Sequence, residues 1–130
     1  VSLLLWCLLI AGLLPILAKA PVVYFQNRDN GYDNKHPRAQ QQRLIGRGAR
    51  AVAGHYNAYE AFPLYAVALL AAIATNTVTE RIEFLAIAFI VLRVLYHITY
   101  LANYDKLRSL LWFMATFCPV IILAQLAVSL

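Results

Sequence analysis

Acidic side chains are scarce in this chain. It has six Asp and Glu among 130 residues, against eleven Lys and Arg, for a formal net charge of +5. Charged residues of both signs make up only 13% of the sequence and hydrophobic ones 62%, whereas a soluble domain carries about a quarter charged residues. An ordinary soluble globular domain is thereby excluded, in keeping with a mean hydropathy of +0.66. Cysteine is scarce as well. Cys7 and Cys118 both lie in apolar stretches and read as buried thiols rather than a disulfide or a metal centre. The three histidines lack ligand spacing and are not joined by carboxylates, so no metal is expected. No Ser or Cys is paired by spacing with a base, which leaves Ser/His/Asp catalysis without support. No soluble module carries a basic and aromatic patch, so nucleic acid is not an expected partner. Anionic membrane lipids are the ordinary partner of a chain with a pI near 9.5.

What is abundant is uninterrupted apolar sequence. Val1 to Ala18 carries no charge, and Ser109 to Leu130 is a second uncharged run; crossing the hydrocarbon of a bilayer takes about 20 residues. Between them, Ala51 to Ala74 is apolar apart from His55, Asn57 and Glu60 near its start, and Ile82 to Ala102 is interrupted by Arg93 and His97. The expected fold class is an all-α membrane protein: a four-transmembrane-helix bundle forming a single domain over 1–130, with helices at about 1–25, 38–75, 80–103 and 107–130. Ala18-Lys19-Ala20 resembles a signal-peptidase site. No basic region precedes the apolar run, however, and apolar residues continue to Phe25, which predicts a retained helix.

The basic residues set an expected topology. Arg28, Lys35, Arg38, Arg43, Arg47 and Arg50 lie between the first two spans, and Lys106 and Arg108 between the last two. The opposite side has only Arg81, beside Glu80 and Glu83. The positive-inside rule places both basic segments in the cytoplasm and both termini on the non-cytoplasmic side. The one segment of soluble character is Gln26 to Arg38, where Asn30-Gly31 and His36-Pro37 are turn chemistry and Pro37 is placed to open the next helix. From there one long helix is expected to continue through Arg50, since only Gly46 and Gly48 interrupt it. Thr75 to Glu80 and Asn103 to Lys106 read as tight turns between antiparallel neighbours. Pro15, Pro63 and Pro119 punctuate three of the helices.

Glu60 carries the most information about function. A carboxylate at the edge of a span costs several kcal/mol unless it faces a partner or a wet cavity, so it marks a candidate site. At helical periodicity Arg43, Arg50, Asn57 and Glu60 fall within an arc of about 100°, and His55 and Tyr59 project from the other side. This makes His55 a structural hydrogen-bonding residue in expectation. Arg93, Tyr96, His97, Tyr100 and Tyr104 form a second polar face, on the third span. Arg93 lies about half-way along that span, and Glu60 is the one intramembrane carboxylate available to it, so an Arg93–Glu60 ion pair is the plainest structural expectation. Arg108 opens the fourth span, where by position alone it is a snorkelling arginine. Three arginines, one carboxylate, an amide and several phenols gathered at one end of a bundle suit a small zwitterion rich in carboxylates. Arginines take its carboxylates, Glu60 its ammonium, and Asn57 its amides.

His55-Tyr56-Asn57-Ala58-Tyr59-Glu60-Ala61-Phe62-Pro63, preceded by Arg50, resembles the second-helix signature of the membrane-associated proteins in eicosanoid and glutathione metabolism, the MAPEG family. Arg93-Val94-Leu95-Tyr96-His97-Ile98-Thr99-Tyr100, followed by Leu107-Arg108-Ser109, resembles that family's second conserved block. The resemblance spans essentially the whole chain and is nearest to the general bacterial type. It implies a homotrimer with glutathione as co-substrate, bound between neighbouring subunits on the cytoplasmic side, and a location in the bacterial inner membrane. Carried over by motif, Arg50, Asn57, Glu60, Tyr96 and Tyr100 bind glutathione, with Arg93 beside them, and Arg108 is catalytic through the thiolate. The lipophilic second substrate, an electrophile or a lipid hydroperoxide, comes from the bilayer. Tyr56 and Ala53 stand where several family enzymes carry further arginines, which argues against an eicosanoid specialisation. The alternative is a non-catalytic trimeric membrane protein that binds a lipid or partner helices.

Overall fold

The computed structural model describes residues 1–130 and contains six helices: α1 (Ser2–Leu17), α2 (Lys19–Arg28), α3 (Pro37–Gln42), α4 (Arg47–Ala74), α5 (Glu80–Leu101) and α6 (Asp105–Ser129). Helices α1 and α2 bend against one another at Ala18 and together form one apolar span of 27 residues. Pro21 accounts for the interruption, since it has no N–H to give the Leu17 carbonyl and its ring crowds that turn. With α4, α5 and α6 this makes four helices long and apolar enough to cross a membrane, and the chain is an integral, multi-pass membrane protein of the all-α class.

The long second helix expected over 38–75 is broken. Helix α3 opens on Pro37 and stops at Gln42, and α4 starts afresh at Arg47. Gly46 causes the break by adopting φ +57, a left-handed conformation that costs residues with a Cβ. Gly48 then lets the returning chain come close, because a Cβ there would sit 3.0 Å from Leu44 Cβ and 3.3 Å from Phe25 Cβ.

The turn segment before α3 is held by two buried glutamines. Gln40 Nε2 donates to the carbonyls of Gln26 at 3.0 Å and Gly31 at 2.9 Å, and its Oε1 accepts the Asp33 N–H at 2.9 Å. Gln26 Nε2 donates to the Pro37 carbonyl at 2.8 Å. Backbone groups that neither helix could satisfy are paired in this way.

At the other end of the bundle Thr79 caps α5, its hydroxyl accepting the Ile82 N–H at 3.2 Å. Glu80 and Glu83 in the first turn of α5 oppose the positive end of the helix dipole.

Helix α4 is the hub, packing on α1, α2, α5 and α6, while α5 and α6 form the most extensive pair. The core is built of small residues interleaved with a few large ones: Cys7 and Ala11 on α1, Ala68 and Ala72 on α4, Ala86 on α5 and Ala115 on α6, around Leu4, Tyr65, Phe89 and Ile122. Small residues let membrane helices approach closely, which is how they gain contact without a hydrophobic drive between them. Tyr65 stacks on Phe89 at 4.0 Å between centroids and donates its hydroxyl to the Ala86 carbonyl at 2.8 Å. The outer surface is apolar instead of charged: Trp6, Leu9, Leu17, Val67, Phe84, Val91, Phe113 and Phe117 are all exposed. Both cysteines are buried as free thiols.

Candidate functional site

Asn57 and Glu60 are one turn apart on α4, and opposite them α5 presents Arg93 and α6 presents Trp112. These four side chains line a recess of about 150 Å³, floored by Phe89 and Leu64. A second recess of about 310 Å³ adjoins it, lined by Asn57, Tyr96, Tyr100, Arg108, Ser109 and Trp112. Asn57 and Trp112 belong to both, so six of the seven expected site residues converge on two neighbouring hollows with a common wall.

The cations here are held by aromatic faces. The Arg93 guanidinium carbon lies 4.2 Å from the Tyr96 ring centroid and that of Arg108 lies 4.6 Å from the Tyr100 centroid. The two rings meet edge to face at 5.7 Å. A run of guanidinium, ring, ring and guanidinium therefore passes from the buried middle of α5 to the first turn of α6. Cation–π contact lowers the cost of placing charge in this environment while leaving the N–H donors free.

The ion pair expected between Arg93 and Glu60 is absent: no Lys or Arg lies within ion-pairing distance of a carboxylate, and the one contact of that kind is His36 Nδ1 to Asp33 at 3.4 Å. Arg93 is only 2% exposed and its Nη2 has no hydrogen-bond partner. Asn57 Oδ1 is also buried without a partner. An unpaired buried donor and an unpaired buried acceptor beside one hollow leave it able to take a polar ligand, since buried polar groups otherwise find partners.

Arg50 stands apart from its expected neighbours. It lines a separate recess of about 30 Å³ with Gly54, His97 and Tyr100, room for about one water. Its Nε and the Nε2 of His97 are both buried and unpartnered. Gly54 makes this approach possible, because a Cβ there would meet His97 Nδ1 at 3.3 Å. Only Tyr100 is shared with the Arg108 recess.

His55 lies on the far side of α4, where its Nδ1 bonds the Pro15 carbonyl at 2.8 Å and ties α4 to the bend between α1 and α2. This is the structural role its position on the helix predicts. Trp112 and Ser109 were not among the expected residues. Their signal was present, because Trp112 follows Arg108 by four residues and so shares its helix face.

Comparison with curated proteins and with solved structures found no match. The model of one family, the MAPEG family, matches residues 3–128. With both motif blocks lining the adjoining recesses of a four-span bundle, this chain belongs to the MAPEG family, the membrane-associated proteins in eicosanoid and glutathione metabolism.

Proposed function

We propose that the protein is a membrane-bound glutathione transferase that joins the glutathione thiolate to lipophilic electrophiles, and that the same site reduces lipid hydroperoxides. The observation that carries this reading is the pair of adjoining recesses divided by Asn57 and Trp112, one with Glu60 and Arg93, the other with Tyr96, Tyr100 and Arg108. Glutathione is a zwitterion with two carboxylates, an ammonium, two amides and a thiol. Glu60 receives the ammonium, Asn57 pairs with a peptide amide, and the free donors of Arg93 take a carboxylate. Arg50 serves a carboxylate farther from the reacting atom through the one water that its recess admits. The thiol then lies toward Arg108, with the phenols of Tyr96 and Tyr100 beside it.

A thiol with a free pKa of about 8.5 is largely protonated at neutral pH, and a neighbouring guanidinium favours the anion. In transfer, sulfur forms a bond to the electrophilic carbon and the leaving group departs with the bonding pair. In reduction, sulfur takes the terminal oxygen of the hydroperoxide, the O–O bond breaks, and the alkoxide is protonated. A second glutathione thiol then displaces water from the sulfenic acid to give the disulfide. Trp112 and the exposed Phe113 and Phe117 on α6 form an apolar approach through which a substrate dissolved in the bilayer reaches the sulfur.

The unpartnered polar atoms support a closed homotrimer in which a neighbouring subunit covers the recesses on the cytoplasmic side, with both termini on the non-cytoplasmic face of a bacterial inner membrane. Calorimetry of detergent-purified protein with glutathione, followed by an ultraviolet scan for the thiolate, tests the reading. Binding, a thiolate band and turnover with aryl halides or lipid hydroperoxides are expected. Binding with neither band nor turnover transfers the site to a non-catalytic lipid- or helix-binding protein. A stable monomer that still binds glutathione in sedimentation analysis overturns the trimer.

A further inference from the structure

Around α4 from Glu60, on the flank that carries His55 and Tyr59, lies another recess, of about 350 Å³, lined by Lys19, Arg38, Gln41, His55, Tyr56 and Tyr59. The glutathione reading makes no use of it. Two cations face it and no carboxylate does. Arg38 has no ion-pair partner, since the one acid engaged near it, Asp33, is held by His36. Lys19 is the one charged side chain in the apolar stretch from Val1 to Phe25, and such a charge within a span is kept for a partner.

The recess is organised before any ligand enters. Lys19 Nζ donates to Gln41 Oε1, and Gln41 Nε2 donates to the Tyr56 hydroxyl at 2.8 Å, linking α2, α3 and α4. Gln41 is itself only 3% exposed. With Tyr56 already accepting from the amide, its own O–H proton is left to donate outward, and Lys19 retains two of its three N–H donors. His55 is held in place through Pro15. Left over at the mouth are the cations Lys19 and Arg38 and the hydroxyls of Tyr56 and Tyr59, with one acceptor, His55 Nε2, beside them.

Its depth is toward the membrane boundary. On α4, Tyr56 and Tyr59 precede the uncharged run Ala61 to Ala74, which spans about 21 Å at 1.5 Å per residue of a hydrocarbon core about 30 Å thick. Toward the middle of the span, Leu13 and Ile16 on α1 are exposed. A headgroup at Lys19 thus has apolar helix surface beneath it for an acyl chain.

The geometry points to a phosphate-binding site at Lys19, Arg38 and Tyr56, built to take the phosphate of an anionic phospholipid, whose chemistry it shares with a free phosphate ester. This inference is independent of the glutathione reading.

Native mass spectrometry of the whole protein, released from detergent with phosphatidylglycerol or phosphatidylcholine, tests it. The wild type should retain phosphatidylglycerol over phosphatidylcholine. The double variant Lys19→Met with Arg38→Gln should lose that retention by about tenfold, the effect of removing two charge-assisted hydrogen bonds. Arg43→Gln, which removes a neighbouring charge outside the recess, should behave as wild type. Arg38→Gln alone covers the case in which the double variant does not fold, because Arg38 is exposed and unbonded; about a threefold loss is expected. Glycerol phosphate separates the sources. If it binds the wild type but not the variants while phosphatidylglycerol shows no preference, the ligand is a soluble phosphate ester. Equal retention of both lipids by wild type and variants, with no glycerol phosphate binding, overturns the site, as does a loss of the same size in Arg43→Gln.

Discussion

The guanidinium of Arg93 rests 4.2 Å over the ring of Tyr96, one turn further along the same helix, and makes no ion pair with Glu60. Arg93 is thereby steadied without consuming the carboxylate. Tyr96→Phe keeps the quadrupole and should leave stability within about 0.5 kcal/mol, whereas Tyr96→Leu removes it and should cost about 1 to 2 kcal/mol. Thermal unfolding in detergent measures both, and equal losses would mean that the ring acts only as bulk.

Glu60 is exposed at the mouth of its recess, so removing its charge strands no buried partner. Glu60→Gln should fold and assemble as wild type yet bind glutathione about tenfold more weakly, the weight of one charge-assisted hydrogen bond. Calorimetry reads the loss. Unchanged affinity would remove Glu60 from the site.

Arg108 and Arg50 should differ in kind. Arg108→Leu withdraws the cation nearest the proposed sulfur position and should lower kcat by about a hundredfold while raising the pH at which the thiolate band appears. Arg50→Leu acts from the separate His97 recess and should raise the glutathione KM with little change in kcat, since it removes binding common to ground and transition states. A kcat loss in Arg50→Leu as large as in Arg108→Leu would reverse these roles.

His55 serves the fold. His55→Phe deletes the bond to the Pro15 carbonyl and should cost about 1 to 2 kcal/mol, lowering the Tm while glutathione affinity per folded protein stays constant. A change in affinity without a change in Tm would place His55 in the glutathione site.

The segment before α3 should respond to acid. Slight desolvation pushes the Asp33 carboxyl up, but hydrogen bonds from the backbone N–H groups of His36 and Lys35, both 3.1 Å, together with the His36 ring, outweigh it and hold the carboxyl below its ordinary range. A depressed folded-state pKa stabilises the folded form above the unfolded pKa, and this is lost as pH falls through the folded value. Amide-exchange protection at Lys35 and His36 should therefore drop in acid. The Asp33→Asn variant should lack that pH dependence.

Much of the architecture is local in origin and so was legible early. A run of apolar residues long enough to cross hydrocarbon must become a helix, because only internal hydrogen bonding satisfies the backbone there. That argument placed four spans, put His55 opposite Glu60, and grouped Tyr96 and Tyr100 on one face. The break in the second helix was harder to read, since Gly46 was visible but its left-handed φ is selected by the chain folding back over Gly48.

The sequence by itself determined the all-helical membrane class and the polar residues available to a site, because both follow from span length and a 3.6-residue repeat. Only the tertiary structure decided which of them meet. A helical repeat reports direction around an axis and height along it, and says nothing of what the neighbouring helices bring to each height. Arg50 and Asn57 share a face of α4 yet stand about 10 Å apart at 1.5 Å per residue, and so open into different recesses. The partner of Arg93 shows the limit as well: a carboxylate was the obvious choice from composition, but the Tyr96 ring one turn along α5 lies beneath the guanidinium, and helix packing left Glu60 at the mouth of the hollow.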